Sequence, residues 1–109
     1  KAIYKAIPDP NPQRASDHKA LLGALIDGTL KKDAFTNEMQ ARLFPSFVEQ
    51  VHQLLSGHGS IESFVLVKLA FKEGIERREY HAVLGGQGLK IMVATNAAGK
   101  ISGFSLELS

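Results

Sequence analysis

The chain has 109 residues, 44% of them hydrophobic and 22% charged, proportions that fit one folded domain and exclude a disordered or fibrous polypeptide. Its formal net charge is only +2, from 13 basic and 11 acidic residues, and the basic doublets Lys31-Lys32 and Arg77-Arg78 each stand beside an acid, so no nucleic-acid partner is expected. Cysteine is absent, which excludes disulfides and thiolate chemistry, and no run reaches the roughly 18 apolar residues of a membrane span.

Residues 1–14 contain three of the four prolines, Pro8, Pro10 and Pro12. Proline removes amide donors and drives the preceding residue towards extended geometry, so this stretch is expected to be an extended arm, tethered through Ile3, Tyr4 and Ile7, ahead of a single domain at 15–109. The chain opens at Lys1 rather than at methionine, as an exported, processed protein or an excised domain would. Ser16 or Asp17 is expected to cap a first helix running to about Ile26, with Leu21, Leu22, Leu25 and Ile26 on its apolar side and Asp27-Gly28 ending it. Thr36 offers a second cap. The positions Met39, Leu43, Phe44, Phe47, Val48, Val51, Leu54 and Leu55 then keep a helical period, which Pro45 must kink or restart.

From Ile61 the pattern becomes that of strands. Ser63 to Phe71, Ile75 to Leu84, Leu89 to Thr95 and Lys100 to Leu108 are rich in Val, Leu, Ile and Phe, and glycine-bearing turns separate them. Such short connections force neighbouring strands to run antiparallel, giving a four-strand meander. In the second strand Arg78, Tyr80, Ala82 and Leu84 share one face, and Arg77, Glu79 and His81 the other. The helices must cover one side of the sheet, so the fold class is α+β, with N-terminal helices packed on a curved antiparallel sheet.

Four local patterns invite a chemical reading. Ser16-Asp17-His18-Lys19 matches the S-x-x-K motif of penicillin-recognising enzymes, but the companion motifs are missing and a helix cap accounts for it. Gly85-Gly86-Gln87-Gly88 precedes a strand instead of a helix, so a hairpin explains it better than a phosphate cradle. His18, His52, His58 and His81 form no ligand-spaced pair, and no metal or cofactor is expected. Arg78 is the most informative polar residue, because a guanidinium on the core face needs a carboxylate, a carbonyl, a ligand anion or solvent; an internal salt bridge is the simplest solution.

The order of elements resembles the nuclear transport factor 2-like (SnoaL-like, cystatin-like) superfamily. More narrowly, Gly28 to Thr36, the Arg78-x-Tyr80 strand and Gly99-Lys100-Ile101-x-Gly103-Phe104 resemble the small domain behind the catalytic domain of bacterial beta-lactamase-related serine hydrolases. The resemblance implies a cone-shaped fold with a pocket, and an exported bacterial accessory domain, appended to or partnering such a hydrolase. Enzymes of that superfamily place an acid on the pocket face; the inner-face candidates here, Tyr80, Ala82, Ile91, Val93, Phe104 and Leu106, include none. The expected function is therefore noncatalytic binding of a small hydrophobic or anionic ligand in an apolar pocket formed by Phe44, Phe47, Val51, Arg78, Tyr80 and Phe104, with homodimerisation through the outer sheet face. The alternative is a small isomerase or hydrolase with His81 or Tyr80 as acid or base.

Overall fold

In the computed structural model, which describes residues 5–108, the first helix, α1, spans Pro12–Asp27. The tethers expected at Ile3 and Tyr4 lie outside the described residues. Helix α1 starts several residues before Ser16, because Asn11 is its cap: the Asn11 side chain accepts a hydrogen bond from the Arg14 amide at 3.3 Å. Pro12 then stands in the first turn, where a missing amide donor breaks no helical bond and a fixed φ is already suitable. Ser16 and Asp17 consequently lie within the helix on its exposed surface, so neither is a cap. The arm is correspondingly shorter than 1–14, and it is docked, since the Ile7 amide donates to the Leu66 carbonyl at 2.9 Å.

Gly28, at φ 76°, ends α1 in the left-handed conformation. The orphan carbonyl of Ile26 accepts a hydrogen bond from Nδ1 of His52 at 2.7 Å, which ties the C-terminus of α1 to the third helix. A short 3-10 turn, Lys32–Ala34, leads to α2 (Asn37–Leu43), capped as expected by Thr36, whose hydroxyl accepts from the Met39 amide at 3.3 Å. Pro45 interrupts the helical register, and α3 follows at Ser46–Leu55.

The four strands are β1 (Ile61–Lys72), β2 (Ile75–Leu84), β3 (Gln87–Thr95) and β4 (Ile101–Leu108), hydrogen-bonded in that order, every pair antiparallel. The molecule is thus an α+β fold with its helices N-terminal to an open sheet. Two hairpins turn on two residues each, Glu73-Gly74 (φ 53° and 78°) and Gly85-Gly86 (φ 51° and 85°), the doubly positive pattern that matches strand twist. Gln87 and Gly88 are therefore the start of β3, and the glycine stretch is a hairpin. Val67 is left without a partner where β1 bulges between Leu66 and Lys68. Phe35 forms a parallel bridge with Ile101 at the other edge of the sheet.

Alternation along β2 buries Arg78, Tyr80, Ala82 and Leu84 and sends Arg77, Glu79, His81 and Val83 to the outer face. The buried face is covered by Leu21, Leu22 and Leu25 of α1, Met39 and Leu43 of α2, and Val48, Val51 and Leu55 of α3, which form one core with Leu66, Leu89, Ile91, Val93 and Ile101.

One tight spot makes a direct test of this packing. A Cβ at Gly85 would collide with the backbone carbonyl oxygen of His58, whereas at Gly86 it would meet nothing within 4 Å. Gly86→Ala should lose only about 1 kcal/mol from the left-handed backbone, while Gly85→Ala should lose about 2 kcal/mol or more, because a backbone oxygen cannot rotate away. Urea denaturation of the two variants measures the difference, and equal losses would contradict the close approach of the two loops.

Candidate ligand site

The sheet's inner face carries a charged and hydrogen-bonded cluster where an apolar interior was expected. Arg78 is 0% exposed, and its guanidinium grips Asp9 of the arm in a two-pronged pair, Nη1 to Oδ2 at 2.9 Å and Nη2 to Oδ1 at 2.8 Å. Nη2 also donates to the Asn11 carbonyl at 3.3 Å. Nε lies 3.1 Å from Oε1 of Glu76, close enough for an ion pair but without hydrogen-bond geometry, and the same oxygen faces Nη1 of Arg14 at 3.4 Å. The salt bridge anticipated for Arg78 is present, and its acid comes from a segment 69 positions away.

From Arg78 the network runs on in one direction. Nη1 donates to the Tyr80 hydroxyl at 3.2 Å, and that oxygen lies 2.7 Å from Nδ1 of His18. Burial, opposed by the Arg78 hydrogen bond, pushes the Tyr80 phenol up to about 12, so it keeps its proton and donates it to Nδ1. Burial first, and then the positive charges of Arg78 and Arg14, lower His18 to about 4. His18 is accordingly neutral at pH 7, with Nδ1 an acceptor and its proton on Nε2. The Arg78 hydrogen bond holds the Asp9 carboxyl below its ordinary value. Burial alone would lower Arg78, but hydrogen bonds with Asp9 and Tyr80 outweigh it and raise its pKa. Phe64 stacks on Tyr80 with centroids 4.4 Å apart, and the His18 ring stands edge-on to Tyr80 at 5.5 Å, so the phenol has little freedom to turn.

His18 borders a cavity of about 260 Å³ whose wall is completed by Arg14, Asp17 and Leu21 of α1, Ala34, Thr95 of β3, Gly99 and Ile101. Thr95 is 3% exposed and its hydroxyl has no hydrogen-bond partner among the described residues. A buried hydroxyl without a partner loses the hydrogen bonds it had in water, which leaves Thr95 chemically unsatisfied beside the cavity.

The six residues expected to line a pocket fall into two groups, a polar pair and an apolar set. Arg78 and Tyr80 are fully buried in the cluster. Val51 is buried in the core, with Phe44 and Phe47 packed against it, and Phe47 meets Phe104 edge-on at 6.3 Å. Of these six, Arg78 alone borders any of four cavities bounded by described residues: the one beside His18, two of about 440 and 470 Å³ at Asn37 and Met92, and one of about 220 Å³ at Gly59. The expectation of an inner face without an acid fails because Asp9 and Glu76 supply carboxylates from the arm and from the start of β2.

No family model, curated protein or solved structure matches the chain. Among the described residues no three His, Asp or Glu side chains converge on a point that would hold a metal ion, and no helix is long and apolar enough to cross a membrane. His18 is the functional candidate that sequence reasoning missed. Its signal was present: it lies four residues before Leu22 and seven before Leu25, on the buried stripe of α1.

Proposed function

We propose that this chain is a noncatalytic binding or accessory module whose ligand site is the cavity beside His18, Thr95 and Arg14. The observation that carries the reading is the union of two features at one wall. A buried relay fixes His18 as a neutral ring with Nε2–H as its one donor, and the Thr95 hydroxyl, beside the same cavity, has no partner among the described residues. Pre-set polar groups in a small concave site are what orient a bound molecule.

Proton transfer is the less favoured use of the same groups. Tyr80 holds its proton to about 12 and His18 takes one only near 4, so neither is poised to exchange at neutral pH. His81, the other expected acid or base, lies on the outer sheet face opposite Val65 and Lys90. The accessory role beside an exported bacterial serine hydrolase, implied by the resemblance, is retained within this proposal, as is pairing of two copies through the outer face around Val65, Val83 and Met92.

Amide resonances followed during a screen of small polar fragments provide the test. Ligand-induced shifts gathered on Arg14, His18, Ala34, Thr95 and Ile101 are expected. Shifts confined to the outer face, or none with any fragment, would remove the cavity from consideration.

A further inference from the structure

Resting on that reading, we propose that the cavity takes a small zwitterionic α-amino acid. Its carboxylate would meet the Arg14 guanidinium, the Nε2–H of His18 and the Thr95 hydroxyl, while its ammonium would face Asp17. The volume of about 260 Å³ is roughly nine waters' worth at about 30 Å³ each, which suits a molecule of six to eight heavy atoms with its hydrogen-bonding shell. Leu21, Ala34 and Ile101 supply the apolar part of the wall, on which a short side chain can rest.

Charge decides between a zwitterion and a plain anion. The cavity and the network behind it hold two cations, Arg14 and Arg78, against three carboxylates, Asp9, Asp17 and Glu76, with His18 neutral. A simple anion would enter a region already carrying one excess negative charge, and a simple cation would leave the donors of Arg14, His18 and Thr95 unused. A molecule bearing both charges satisfies the donors and Asp17 together and adds no net charge. Arg14 is 31% exposed, and its link to Glu76 is long at 3.4 Å, so it can turn to a carboxylate without leaving Glu76 unpaired, since Arg78 holds the same oxygen. Asp17 is exposed at the rim and accepts one hydrogen bond among the described residues, from Gln13 to Oδ1 at 3.0 Å, leaving its remaining oxygen for an ammonium.

Titration of the protein with L-alanine, L-serine and L-valine, followed by amide shifts and calorimetry, tests the proposal, with L-lactate, propionate and ethylamine as controls. An amino acid should bind at the cavity, lactate more weakly, and propionate and ethylamine not measurably. Arg14→Gln and Asp17→Asn should each weaken binding about tenfold or more, and Thr95→Val, which keeps the side-chain shape, about threefold. Melting temperature checks that each variant is folded; the two surface changes should leave it nearly unmoved. If other fragments shift the cavity resonances and no amino acid does, the ligand class is wrong and the cavity reading stands. If amino acids bind equally well to Arg14→Gln or Asp17→Asn, the charge assignment is overturned. If nothing perturbs the cavity, both readings fall.

Discussion

Replacing Asp9 by alanine is expected to destabilise the protein by about 3 kcal/mol, measured as a shift of the urea midpoint at unchanged slope. The reason is the guanidinium left behind. Arg78 has no exposure to water, so losing the paired carboxylate leaves a buried positive charge whose desolvation is no longer offset. Removing one partner of a buried pair typically costs about 3–5 kcal/mol, and the lower end applies because Glu76 still stands 3.1 Å from Nε and Asp9 itself is 17% exposed. That is a large share of the total stability of a domain this size, about 5–15 kcal/mol. Arg78→Met in the Asp9→Ala background should restore most of the loss, since the orphaned charge disappears with the side chain. A double variant no more stable than Asp9→Ala would show that the arm matters for some reason other than this pair.

Acid should weaken the fold well above the range where carboxylates titrate, and His18 should be responsible. Its pKa falls from 6.5 in the unfolded chain to about 4 in the fold, so below pH 6.5 the unfolded state binds a proton that the native state refuses. Stability is therefore full above pH 6.5 and declines as pH falls towards 4, by about 3 kcal/mol in all. The groups that set this are the buried surroundings and the charges of Arg78 and Arg14, partly countered by Asp17 and Asp9. Asp9 adds a second loss further down: its folded pKa is depressed, so its contribution is intact above 3.8 and disappears below it. His18→Asn keeps an acceptor near the position of Nδ1 and cannot titrate. The variant should show a much flatter stability profile between pH 7 and pH 4, and a slope equal to that of the wild type would transfer the effect to another group.

The parts of the fold that were legible in the sequence are those governed by local pattern. Period-two alternation in β2 placed Arg78 and Tyr80 on the buried face and Arg77, Glu79 and His81 on the other, and doubly positive φ at Gly85-Gly86 bears out the hairpin. Pro45 did restart the helix. The beginning of α1 lies earlier than the sequence pattern suggests because Pro8, Pro10 and Pro12 look alike in composition, yet only Pro12 follows an asparagine placed to cap a helix, and a first-turn proline favours one. The site was legible only in half. Arg78 announced that it needed a partner, but nothing local could name Asp9, whose approach depends on how the arm crosses the sheet. His18 sat in an apolar stripe whose meaning changes once Tyr80 lies opposite it. Thr95 read as one more β-branched strand residue until the cavity beside it appeared.

The two rims of the sheet are both encumbered. Along β1, Ile7 occupies the carbonyl of Leu66 and the adjoining bulge disturbs the regular ladder; along β4, Phe35 bridges to Ile101. A bare border strand offers its unused amides and carbonyls to any neighbouring polypeptide and so seeds fibrillar growth. In this protein the same short stretch that neutralises the interior guanidinium also shields one border, so loosening it would unmask a nucleus for polymerisation while weakening the native state.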